Sequence, residues 1–549
     1  MRIHAPRPER SELLMPAGSL ENMKAAILYG ADAVYAGTPD MSLRTKSSFT
    51  LEKLVKGIEF AHEHGVRVYL TLNLFAHNKD IEKLPVFVET IRKVKPDGVI
   101  IADPAVFQYV KENAPELELH VSTQANITSW MGVKFWQDQG ASLCVLAREV
   151  SYEELCKIRK ECPEIKIEAF VHGAMCMTYS GRCLLSNFMA ERGANQGSCA
   201  HSCRWNYKVH VKMRDGKTQE LVINEDNKDM FEFLLEEGCR PGDLMTIEED
   251  PYGSYILNSK DLCLMPKLDD YLKIGVDSLK VEGRHKNEYY VSVVARTYRM
   301  AIDAWYADPE NWDPKPYMDE LQNIRNRGYT MAFHEGRLQN HSHDYTDTAS
   351  MSDWSYGGFI KEWHDDYFVF EVRNHMESGD VLEFLPPKSL DAIRLRMYDF
   401  TNAKTLEVVS KVSAGQGMAI QIPLSVFDKE DTTTLKNRLI VGTVARTETF
   451  DESRNTEQVK VRIQSQKMEA GIVSEKVYES TKKRISERMA DTDKAKTIKS
   501  KKLAKTKEEA CCGRGCNGCL VFWNDPMYAK ARDLLATKKM GEKLAQKAV

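Results

Sequence analysis

Between Glu12 and about Glu282, short apolar runs alternate with longer segments whose apolar residues recur at helical spacing. The runs are ELLMPA, DAVYAG, VRVYLTLN, GVIIAD, ELHVSTQ, SLCVLARE, IKIEAFVHG, YILNSKD and DSLKVEG. Intervening segments such as LENMKAAILYG and LEKLVKGIEFAHEHG end in Gly, as a helix C-terminus often does. Strand and helix in repeated alternation predict a parallel sheet covered by helices. About eight repeats favour closure into a (β/α)-barrel over an open doubly wound sheet. A dinucleotide-binding domain lacks its main signature, because no Gly-x-Gly-x-x-Gly follows the first strand.

The rhythm breaks at residues 204–250, which read as an insertion late in the barrel, and EYYVSVVARTYRMAIDAWY at 288–306 has helical period. Beyond Asp313-Pro314 the pattern turns to short alternating strands: WSYGGFIKEW, DYFVFEVRN, GDVLEFLPP, TLEVVSKV, GMAIQIPL and RLIVGTVAR. The expected organisation is an α/β fold: a barrel over 11–310 carrying a special loop at 168–207, and a connection at 311–349. A small all-β barrel follows over 350–447, then a charged linker at 448–510 and a Cys-rich C-terminal segment at 511–549.

Composition agrees with a globular chain: of 549 residues, 42% are hydrophobic and 28% charged. No window approaches a membrane span and the N-terminal residues form no export signal, so a cytoplasmic chain is expected. A net charge of −4 conceals KAKTIKSKKLAKTK at 494–507, with seven lysines and no acid, which is either a solvated tail or an electrostatic grip on nucleic-acid phosphates.

Thirteen cysteines, eight of them in two tight groups, suit metal binding better than a disulfide framework. The first group is Cys176-x6-Cys183-x15-Cys199-x3-Cys203, set among Gly173, Gly181, Gly193 and Gly197. If IKIEAFVHG is a barrel strand, Cys176 lies just past its C-terminal end, where such barrels build active sites. Only Cys199-x3-Cys203 resembles a zinc knuckle, so an iron-sulfur cluster is the preferred reading, with zinc or inert buried thiols as alternatives. Cys263 follows a later apolar run and is an alternative fourth ligand. Cys511, Cys512, Cys516 and Cys519 offer a second metal site, or else a redox-active or merely glycine-rich turn, whereas Cys144, Cys156, Cys162 and Cys239 are scattered and read as packing residues.

Three stretches together carry a resemblance: ELLMPAGSLENMKAAILYGADAVYAG, HGAMCMTYSGRCLLSNF with NQGSCAHSCRW, and NSKDL with SLKVEGR. Through them the chain resembles the U-thirty-two peptidase family, also called collagenase-like proteases, over about residues 11–445. That resemblance implies oxygen-independent RNA hydroxylation with prephenate as co-substrate, and a 4Fe-4S cluster on Cys176, Cys183, Cys199 and Cys203. NSKDL, SLKVEGRHKNEYY and NRGYTMAF resemble the branch that hydroxylates the wobble uridine of tRNA. Cys263 and the chain beyond about residue 450 depart from that branch's pattern.

Elementary chemistry agrees in outline. Neither His-Glu-x-x-His nor Gly-x-Ser-x-Gly is present, and a fully Cys-ligated cluster has no evident role in proteolysis. Holding a small dianion beside a flipped base calls for cations and polar groups at one end of the barrel. Candidates at strand ends are Asn73, Gln124, Arg148, His172, Lys260, Glu282 and Arg284, with Arg182 and Arg204 beside the cluster cysteines. Tyr179, Trp205 and Tyr207 are candidate base-stacking residues. The expected function is 5-hydroxylation of tRNA wobble uridine, with tRNA and prephenate as partners and an electron donor the sequence does not identify. The alternatives are an endopeptidase and a non-catalytic RNA-binding or electron-transfer scaffold.

Overall fold

In the computed structural model, residues 8–37, 49–74, 76–176, 185–190, 260–336, 354–415, 418–427 and 432–448 are described, together with the backbone of short strands between 210 and 255. Seven parallel strands come first: β1 Glu12–Ala17, β2 Ala33–Gly37, β3 Arg67–Leu72, β4 Gly98–Ile101, β5 Glu118–Val121, β6 Leu143–Val145 and β7 Lys166–Gly173. The strand Ser278–Val281 pairs in parallel with both β7 and β1 and closes an eight-stranded barrel. Turn chemistry agrees with the pattern of the chain. Ser19, Thr50, Asp103, Ser129 and Ser151 each cap the following helix with a side-chain oxygen. Gly30 and Gly65, past the ends of helices Leu20–Leu28 and Leu51–Glu63, adopt positive φ of 102° and 71°, a conformation that favours glycine.

Of YILNSKD, residues 256–259 lie outside the described residues, and its last residue, Asp261, enters no parallel barrel strand. The strand there is Asp261–Cys263, and it runs antiparallel to β7, with Leu262 opposite Gly173 and Cys263 opposite His172. Its other edge pairs with Tyr329–Thr330, so residues of the expected connection extend the barrel wall beside the end of β7. The insertion expected at 204–250 contains short antiparallel hairpins, such as His210–Lys212 with Thr218–Glu220.

The second domain is an all-β half-barrel, an eight-stranded antiparallel sheet running from Trp354 to Glu448. Its separate core includes Phe368, Phe370, Phe384, Phe400 and Ile422, all fully buried. Ile393–Arg396 and Phe400–Asn402 are additional strands the pattern did not announce. This domain is joined to the barrel by buried polar contacts. Tyr29 donates to the Leu385 carbonyl at 2.8 Å and accepts from Val444 N at 2.8 Å. Arg446 reaches both Glu320 and Glu383, and Glu320 also binds Arg296, a fully buried arginine of the helix Glu288–Ala307.

Candidate functional site

Strands of this barrel alternate, so one set of side chains faces the axis and the other faces the helices. The axial set is unusually polar. Glu168 of β7 is fully buried and accepts from Lys280 Nζ at 2.6 Å and from Ser278 Oγ at 3.0 Å. The Lys280 ammonium also stands 4.5 Å from the centre of the Tyr35 ring and 5.5 Å from that of Phe170. Above it, toward the C-terminal ends of the strands, Arg284 lies over Tyr35 at 5.7 Å and donates to Thr71 Oγ1 at 2.8 Å. Arg148 lies over Phe170 at 4.0 Å. Burial lowers the pKa of Lys280; Glu168 opposes that shift, while the charges of Arg284 and Arg148 add to it. Three cations therefore converge on two aromatic rings at the mouth of the barrel, an arrangement suited to a small anion with an apolar body.

Close packing holds this mouth in place. A Cβ on Gly18 would overlap the Arg284 carbonyl, and a Cβ on Gly173 (φ 116°) would stand 2.6 Å from the Glu282 carbonyl. Glycine at both positions lets the loop Glu282–Arg284 settle onto the ends of β1 and β7. After β5, the Oε1 of Gln124 and the Oδ1 of Asn126 are buried acceptors without a hydrogen-bond partner among the described residues.

Of the residues expected from sequence, Arg148 and Arg284 meet at the mouth, and His172 does not. Counting inward positions from Glu168 and Phe170 would put His172 on the axis. A register shift opposite Lys280 and Val281 instead pairs His172 with Val281. Its imidazole is sealed among Tyr290, Tyr298 and Tyr329, with ring centres 5.5–6.0 Å away, and burial pushes its pKa down to about 3. It packs inside the barrel wall, so the structure does not bring this strand-end candidate to the mouth. Lys260 lies against Gly328, where a Cβ would meet its Cδ at 3.4 Å. Glu282 is held through its backbone, donating its N–H to the His172 carbonyl at 2.8 Å and accepting from Tyr290 at 2.9 Å. Asn73 is buried just past β3.

Sequence reading missed Lys280 and Glu168, which lie inside the apolar-looking runs DSLKVEG and IKIEAFVHG. The available signal was charge at positions of inward parity in strands otherwise buried on both faces.

Cys176 is exposed three residues beyond β7, whereas Cys144, Cys162 and Cys263 are buried. The Cys263 thiol packs 3.8 Å from the Tyr298 hydroxyl and 3.7 Å from Met318 Sδ, and burial pushes its pKa up to about 11. Cys183, Cys199, Cys203, Arg182, Arg204, Tyr179, Trp205 and Tyr207 lie outside the described residues, as do the linker and Cys511, Cys512, Cys516 and Cys519.

Residues 18–344 match the model of Peptidase family U32. The chain belongs to that family. Among its relatives, tRNA hydroxylation protein P of Escherichia coli (strain K12) is 38% identical over 442 residues, covering 76% of this chain and 94% of the relative. The 23S rRNA 5-hydroxycytidine C2501 synthase of the same organism is 31% identical over 295 residues, covering 54% of this chain and 40% of the relative. A collagenase of Porphyromonas gingivalis (strain ATCC BAA-308 / W83) is 29% identical over 457 residues, covering 76% and 98%. Among the described residues of this U32 chain, no helix is long and apolar enough to cross a membrane.

Proposed function

We propose that this chain is an RNA hydroxylase that forms 5-hydroxyuridine at the tRNA wobble position, using prephenate and no molecular oxygen. The observation that carries the reading is the convergence of Lys280, Arg284 and Arg148 around Tyr35 and Phe170, on the same end of the barrel as Cys176. Prephenate carries one carboxylate on a cyclohexadiene ring and a second at the end of its pyruvyl side chain. Guanidinium forks and an ammonium suit the carboxylates, and the aromatic faces suit the ring. The relative named for tRNA hydroxylation, matched over 94% of its length, supports the same reading.

A 4Fe-4S cluster fits the donor set of four thiolates, Cys176, Cys183, Cys199 and Cys203, and when bound would supply a one-electron redox centre. The exposed thiol of Cys176 suits a ligand. Cys263 suits that role poorly, because its thiol is buried against the Tyr298 hydroxyl and Met318 Sδ. The chain's own residues would hold the anion with Arg284 and Arg148 and keep Lys280 beside it as a proton donor.

Proteolysis is the weaker reading. His172 and Cys263 both lie against the Tyr298 hydroxyl, but at 2% and 1% exposure neither can reach a peptide carbonyl.

The deciding experiment is nucleoside analysis of tRNA from a strain lacking this protein. Loss of 5-hydroxyuridine derivatives, restored by the wild-type chain but not by Arg284→Ala, is expected. Unchanged derivatives would refute the assignment. Cys176→Ala should lower the iron content of anaerobically purified protein, and full retention of iron would remove Cys176 from the ligand set.

A further inference from the structure

Beneath Lys280 the polar groups continue down the barrel axis as an unbroken chain. Lys280 Nζ is 2.6 Å from Glu168 Oε1, Ser278 Oγ is 3.0 Å from Glu168 Oε2, and the same Oγ is 3.1 Å from Glu12 Oε1. A serine hydroxyl has one hydrogen, so it can fully serve only one of two carboxylates. The other contact needs a hydrogen from a carboxyl group. Glu168 faces the buried ammonium of Lys280, whereas the Arg67 guanidinium that faces Glu12 is partly exposed to water, which places the spare hydrogen on Glu12.

The surroundings of Glu12 are consistent with this. Arg67 and Tyr69 of β3 both donate to its Oε2, leaving Oε1 to carry the hydrogen toward Ser278. Asp32, before β2, and Glu168 face it with negative charge, and Glu118, His120, Lys166 and Asp277 line the same small cavity of about 10 Å³. Burial is the largest influence and lifts the carboxyl from its ordinary 4.5 to about 7, against the pull of Arg67.

We propose that Glu12, Ser278 and Glu168 form an axial proton relay that recharges Lys280 from the N-terminal end of the barrel. The inference rests on the reading that Lys280 serves the anion at the mouth. After Lys280 has given a proton to the bound anion, it is a neutral amine. The Ser278 hydroxyl takes the hydrogen of Glu12 and releases its own to Glu168. Glu168, once its carboxyl group has turned, delivers that hydrogen to the amine. Water at the N-terminal end, where the Arg67 side chain is 39% exposed, reprotonates Glu12. One O–H bond breaks at Glu12, one N–H bond forms at Lys280, and no electrons change hands.

Glu12 touches no substrate, so it is a positioning residue and its test needs a readout beyond rate. Infrared spectroscopy of the full-length protein at neutral pH should show the carbonyl stretch of a buried protonated carboxylic acid, shifted in D2O and absent from Glu12→Gln. A wild-type spectrum without that band, or a band that survives in Glu12→Gln, overturns the proposal whatever the substrate proves to be. In tRNA hydroxylation assays the wild-type rate should fall above about pH 7, as Glu12 loses its proton. Glu12→Gln should lose that limb and be slower by roughly a hundredfold, the low end of what a positioned proton donor contributes. Ser278→Ala keeps both carboxyls and breaks the chain between them. It should retain the infrared band and show the same slowing, and wild-type turnover in Ser278→Ala would exclude the relay.

Discussion

Lys280 and Glu168 form an ion pair, 2.6 Å from Nζ to Oε1, on the axis of the barrel, with side chains only 5% and 0% exposed. Removing one member strands the other's charge away from water. Lys280→Met should therefore cost about 3–5 kcal/mol of stability, the range seen when a buried pair is broken. The double variant Lys280→Met/Glu168→Leu should recover most of that loss in urea titrations. A double variant no more stable than the single would show that the loss arises elsewhere.

Arg284 combines a guanidinium–hydroxyl contact to Thr71 with a position over the Tyr35 ring. Arg284→Lys keeps the charge and loses the planar fork. The expected outcome is a KM for prephenate raised by roughly tenfold, the value of one charge-assisted hydrogen bond. kcat should change little, and steady-state kinetics at fixed tRNA would measure both. An unchanged KM would place the anion elsewhere.

Gly18→Ala tests the mouth without touching a charge. The new Cβ overlaps the Arg284 carbonyl, so the loop carrying Arg284 must move. The variant should fold, and it should reproduce the raised KM of Arg284→Lys. Wild-type kinetics would argue against the close approach.

Burial lowers the folded pKa of His172 to about 3, so the unfolded chain binds a proton there first as pH falls. Stability from this site is complete above the ordinary value of 6.5 and is lost progressively as pH drops from 6.5 toward 3. His172→Gln should flatten the acid side of the stability–pH curve, followed by denaturant titration at several pH values. An equally steep loss in the variant would place the acid sensitivity elsewhere.

Glu320 binds Arg296 and Arg446, and Arg446 also binds Glu383, in a buried network between the helix Glu288–Ala307 and the β domain. Glu320→Ala leaves two buried guanidinium groups short of a partner and should cost about 3–5 kcal/mol. Hydrogen exchange should then rise first along Val444–Glu448, the strand carrying Arg446. Unchanged protection there would mean the network does not hold the domains together.

The linear pattern by itself determined the barrel, the helix at 288–306 and the β domain, because side-chain burial repeats with the period of each element and turn residues mark the ends. The placement of Arg148 and Arg284 at one end of the barrel was legible for the same reason, since both stand at predicted strand ends. Tertiary structure decided three things that periodicity cannot carry. A register shift opposite Val281 turned His172 from the axis into a cage of tyrosines. Antiparallel pairing with β7 took Asp261–Cys263 out of the barrel and buried the Cys263 thiol. Closure brought Glu12, Glu168, Ser278 and Lys280, from three different strands, onto one axis. Burial is a local average that sequence records well. A hydrogen bond between residues 266 positions apart depends on which strands meet and in what register, and only the closed barrel fixes that.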